Sequence, residues 1–150
     1  MTIYSESEAA AIGDSDARTV LTGAGLPDHT VMPFRPAATI EVWSQDAEFA
    51  VLGLWDDQIP VLVHRQDGDV HTAPPWAEQI DPLNASVRAF IRSLHALDGA
   101  RPLSKARFDT NVAAGQHAEA LLREIDPETY DYPYSFWRAI VSDIKNGDFA

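Results

Sequence analysis

The chain has 150 residues, 45% of them hydrophobic, enough for one compact domain that hides roughly 70% of the surface its unfolded form exposes. It contains no cysteine, which excludes disulfides, thiolate metal sites and cysteine nucleophiles. With 11 basic against 23 acidic residues the net charge is −12, which repels phosphate backbones and anionic membranes and speeds encounter with a basic protein.

No run approaches the ~18 consecutive apolar residues of a membrane span. The opening MTIYSESEAAAIGDSDAR carries acids and serines where a secretory signal would carry basic residues, so a cytoplasmic location is expected. Residues 1–13 lack a steady apolar period and are expected to form a flexible segment ahead of a single domain over residues 14–150. Asp14 or Ser15 can cap a short helix with Val20, Leu21 and Ala24 facing inward. GAGLP then supplies Gly25 as a left-handed stop, with Pro27 behind it.

Between Val31 and Val70 the apolar period drops toward two. TIEVW (residues 39–43), FAVLGL (residues 49–54) and IPVLVH (residues 59–64) read as strands, each bounded by Pro, Asp or Gly. Their connectors SQDAE, WDDQ and QDGD are of hairpin length, which makes the neighbours antiparallel.

After TAPPWAEQ the period becomes helical. Three stripes follow: Val87, Phe90, Ile91, Leu94 and Leu97; Ala114, Ala118, Leu121, Leu122 and Ile125; and Trp137, Ile140, Val141 and Ile144. At the head of the first, Asn84-Ala85-Ser86 matches a glycosylation triplet, but with a cytoplasmic location expected Asn84 or Ser86 reads instead as the helix cap. Strands in one block and helices in another define an α+β fold: an antiparallel sheet of four to six strands, one N-terminal helix and three C-terminal helices.

Catalytic constellations are not evident. His64, Asp67, Asp69 and His71 are the densest set of possible ligands, but on a hairpin the two acids are expected at the turn, pointing apart, so no metal site is expected. Asp56 and Asp57 read as solvated turn acids rather than an acid/base pair, and His95 and His117 as flank residues of helices. No cofactor is implied. TYDYPYSFW concentrates Tyr130, Tyr132, Tyr134, Phe136 and Trp137 with Asp131 between them. Its tyrosines and Asp131, with Trp55, Asp56 and Asp57 of the LWDDQ turn, are the expected partner contacts, while Trp137 is expected in the core.

The order of these signals resembles the SUKH superfamily. The positions that carry the resemblance are Gly25-Leu26-Pro27, Leu52-Gly53, Gly68-Asp69-Val70, Leu83-Asn84-Ala85-Ser86, Phe90 and Leu94. Asp126-Pro127, Phe136-Trp137 and Asn146-Gly147 are similar to the tail of the fourth subgroup, so the likeness spans residues 20–148. It implies an immunity protein that binds and neutralises a cognate bacterial toxin without catalysis, the toxin presenting a basic, nuclease-like or deaminase-like surface. A scaffold or regulatory protein-binding domain of the same fold and an enzyme with an acidic cleft are the alternatives. Oligomeric state is not legible.

Overall fold

Asp14 opens the first helix. In the computed structural model, which describes residues 1–28 and 32–149, its carboxylate accepts from the Ala17 amide at 2.9 Å and α1 runs over Ser15–Thr22. Val20 and Leu21 are buried, but Ala24 is exposed, because the helix has already ended at Gly23. Gly25 has a φ of 75° and its amide bonds the Val20 carbonyl at 2.8 Å, while an added methyl would collide with the Thr2 carbonyl. Only glycine fits there.

That contact belongs to a segment whose expected flexibility the packing contradicts. Tyr4, Ala9 and Ile12 are buried in the core, and Thr2 and Leu26 form a β-bridge. The Tyr4 hydroxyl donates to the Ala37 carbonyl over 2.5 Å. Three apolar side chains spaced five and three apart match neither period, which is why the pattern conceals the docking.

The sheet comprises β1 (Phe34–Val42), β2 (Phe49–Trp55), β3 (Ile59–His64), β4 (Val70–Thr72) and β5 (Asp81–Asn84), antiparallel and in sequence order. Val31, taken as the start of the strand region, lies outside the described residues. β1 begins earlier than the TIEVW pattern and includes Pro36, which an edge strand tolerates because one row of its amides faces away from the ladder. Leu52-Gly53 acquires a physical reason here: a side chain at Gly53 would strike the Arg35 carbonyl and the Phe34 ring of β1.

The helical stripes form α2 (Val87–Gly99), α3 (Asn111–Ile125) and α5 (Phe136–Lys145), with a four-residue helix α4 (Pro127–Tyr130) inserted before the last. Phe90, Leu94 and Trp137 are fully buried, whereas Arg88 and Arg92 face water, as the stripe requires. Phe90 packs edge-on to Phe34 at 5.1 Å and stacks on Trp137 at 6.5 Å.

The Asn84-Ala85-Ser86 triplet divides its labour. Ser86 is the cap, its hydroxyl accepting from the Ala89 amide at 3.0 Å. Asn84 ends β5 and is buried in a polar network: its amide donates to Asp126 Oδ2 at 3.2 Å and to Ser93 Oγ at 3.3 Å, and its carbonyl accepts from Trp137 Nε1 at 2.9 Å. Asp126 Oδ2 also accepts the Ala85 amide at 2.7 Å. The network ties sheet, α2 and α5 together. Ser86→Ala should therefore lower stability by about 0.5–2 kcal/mol, read by denaturant unfolding, and leave partner binding unchanged.

Candidate functional site

Tyr130 anchors the aromatic stretch. It is 3% exposed, with the Arg123 and Arg138 guanidiniums 5.1 and 5.9 Å from its ring centre, and burial together with the Glu119 charge pushes its phenol up to about 12. A buried ring has no face left for a partner, so Tyr130 is a mount and not a contact. Tyr132 and Tyr134, two and four residues on, are 62% and 64% exposed.

Trp55 is corrected in the same way. It is 3% exposed, edge-on to Phe136 at 5.4 Å and to Trp137 at 5.5 Å. Strand alternation turns it toward the helices, whereas the neighbouring Asp56 and Asp57 are exposed in the β2–β3 turn. Both acids have positive φ, 54° and 58°, which aspartate tolerates better than most residues. Asp57 pairs with Arg35 at 3.2 Å and Asp131 with Arg123 at 3.1 Å. Exposed pairs of this kind are worth little, and Asp56 and Asp57 line a cleft with Pro33 and Arg35, not with the tyrosines.

What the tyrosines do meet is the loop before β5. Tyr134, Trp76, Asp81 and Arg138 line one cleft of ≈ 390 Å³. Tyr132, Glu128, Ile80, Asp69 and His71 line another of ≈ 410 Å³. The consecutive residues Ile80 and Asp81 divide between the two, so the clefts adjoin across the entry to β5. Trp76, 70% exposed, is the residue that the sequence reading left out of the site. The signal was present in TAPPWAEQ, where two prolines hold a tryptophan on a loop that cannot join the ladder.

Asp81 is the second omission. Burial raises its carboxyl above the usual carboxylate range, the Gln79 amide partly offsetting this through a 3.3 Å hydrogen bond. Among the described residues no lysine or arginine forms an ion pair with it. A desolvated carboxylate beside exposed aromatics is arranged to receive a cationic group.

The hairpin acids were expected to point apart, yet one nitrogen of His64 and carboxylate oxygens of Asp67 and Asp69 all lie within 4.8 Å of one another. The turn folds Asp67 back toward β3: its amide donates to His64 Nδ1 at 3.2 Å.

Fold and surface together describe an α+β domain with an acidic, aromatic cleft. No helix among the described residues is long and apolar enough to cross a membrane. The chain belongs to the SUKH-4 immunity protein family, whose model matches residues 1–143. No curated protein and no solved structure matches it.

Proposed function

We propose that this chain neutralises a cognate bacterial toxin by binding it stoichiometrically, without catalysis, in the cytoplasm of the cell it protects. The cleft between the 73–82 loop and residues 128–139 holds the toxin. The observation that carries this reading is that exposed Trp76 and Tyr134 line one cleft with Asp81 while exposed Tyr132 lines the adjoining one, in a member of an immunity family. Rigid aromatics supply contact area at small entropic cost, and the half-buried carboxylate awaits a basic group. The charge of −12 draws in a basic, nuclease-like or deaminase-like face, with exposed Asp56, Asp57 and Asp131 contributing to the field.

Asp81→Asn separates function from stability. Because burial raises its pKa, the folded state disfavours the carboxylate, and stability is lost as pH rises from the unfolded to the folded pKa. Asp81→Asn should accordingly raise the melting temperature at neutral pH, and the gain should vanish below about pH 4, where the acid is neutral in both states. The same variant should bind the toxin encoded beside it more weakly, with a flatter salt dependence of association. A variant that binds as well as the original would remove Asp81 from the interface.

A further inference from the structure

The β3–β4 hairpin carries chemistry of a different kind beside the aromatic cleft, which Asp69 and His71 also line. Leu62 pairs with His71 and Val63 with Val70, and the His64 amide donates to the Asp69 carbonyl at 2.8 Å. Strand alternation thus places His64, Asp69 and His71 on one face, with Asp67 curling over from the turn. The Phe49 ring holds both imidazoles edge-on, each at 5.4 Å.

Asp69 is the informative residue. Its Oδ2 lies 2.6 Å from His71 Nε2, while Oδ1 is buried and has no hydrogen-bond partner. A buried carboxylate oxygen without a donor is stabilised by a water or a cation, and the Asp69 side chain as a whole is 39% exposed, within reach of either. His64 Nδ1 lies 3.5 Å from Asp67 Oδ2 and accepts the Asp67 amide at 3.2 Å, a hydrogen bond that a metal on this nitrogen would displace.

We propose that His64, Asp67 and Asp69 form a divalent-cation site of zinc-like chemistry, with His71 orienting Asp69 from outside the ligand set. One imidazole nitrogen and two carboxylate oxygens suit zinc, and two carboxylates balance its charge. Tetrahedral zinc with bonds of about 2.0–2.2 Å sets its ligand atoms roughly 3.4 Å apart, so a donor set within 4.8 Å has to draw in by about an ångström, the imidazole leaving the Asp67 amide as it turns. Water completes the coordination, and the half-exposed turn leaves a path for entry. The imidazole–carboxylate contact of His71 fixes Asp69 as an outer partner fixes a metal ligand.

The frame is rigid enough to present such a site. Arg65, next to His64, donates from Nε to the Ala11 carbonyl at 2.7 Å and from Nη1 to the Ala47 carbonyl at 2.8 Å. Its own carbonyl accepts the Gly13 and Asp14 amides at 2.8 and 2.9 Å. The docked N-terminal segment therefore clamps the hairpin, and the arginine's charge is engaged away from the turn. Asp69 and His71 also line the ≈ 410 Å³ cleft, so the site is tested with metal alone and no partner present.

The test is calorimetric titration of the metal-free protein with zinc chloride alone. One zinc per chain is expected, with affinity lowered more than about 100-fold in His64→Gln and Asp69→Asn and about 10- to 100-fold in His71→Gln. His95→Gln and His117→Gln, on exposed helix surfaces, should change nothing. Imidazole nuclear magnetic resonance on the unsubstituted chain, which needs no variant to fold, should show zinc moving the His64 and His71 signals and leaving those of His95 and His117. No saturable binding at millimolar zinc, shifts confined to His95 or His117, or ligand variants that bind like the original would each overturn the site.

Discussion

Phe90→Ala is expected to cost about 3–5 kcal/mol of folding stability. The ring is fully buried, and its removal opens a void between Phe34, which meets it edge-on at 5.1 Å, and Trp137, which stacks on it at 6.5 Å. Those neighbours belong to β1 and α5, whose backbones are held by the ladder and by α3, so the cavity cannot collapse. Total stabilities of domains this size are about 5–15 kcal/mol, so the loss is a large share of the whole. It should lower the melting temperature by roughly 6–20 °C at about 2–4 °C per kcal/mol. An unchanged melting temperature would mean that α2 does not turn this face to the sheet.

Asn84→Ala should cost about 2–6 kcal/mol by a different route. Its amide serves Asp126 and Ser93 and its carbonyl serves the Trp137 indole, so truncation strands a buried N–H and removes a donor from a buried carboxylate. Each group left unsatisfied costs about 1–3 kcal/mol, more where charge is involved. The loss should shrink in a Trp137→Phe background, where the indole donor is already absent, giving a coupling of about 0.5–3 kcal/mol in a double-mutant cycle measured by denaturant unfolding. Strict additivity would mean that the Asn84–Trp137 hydrogen bond contributes nothing.

These two residues also mark where the sequence was legible. Phe90 sits in a stripe of five apolar positions three and four apart, a pattern only a helix satisfies, and it lies where the stripe put it. Asn84 sits in DPLN, a strand of four residues led by an acid and a proline, too short for a period of two to register. β4, with three residues, is too short for a period of its own and was legible only through the QDGD connector that leads into it. α4 has a single turn, too short for a helical period to register.

The site was half legible. Tyr132 and Tyr134 stand out by composition, but composition cannot say that Tyr130 is the mount, because that depends on Arg123 and Arg138 closing over its ring. Trp55 and Trp76 are equally conspicuous as letters; burial separates them, one turned by strand alternation against Phe136 and the other held out by two prolines. Asp81 becomes notable only through its desolvation. The approach of His64, Asp67 and Asp69 depends on a backbone turn that brings Asp67 back to the strand it has just left.

Hydrogen exchange on the chain, free and saturated with the toxin domain encoded beside it, tests the central claim most directly. Amides of the loop around Trp76 through Asp81 and of the segment from Thr129 through Ala139 should exchange more slowly in the complex. Trp76→Ala and Tyr134→Ala, both folded, should each lower affinity by about 30-fold or more, the scale of an interface hot spot. Protection confined to other surfaces, such as the outer face of α3, with both cleft segments exchanging at their free rates, would contradict the assignment of this cleft as the toxin-binding surface.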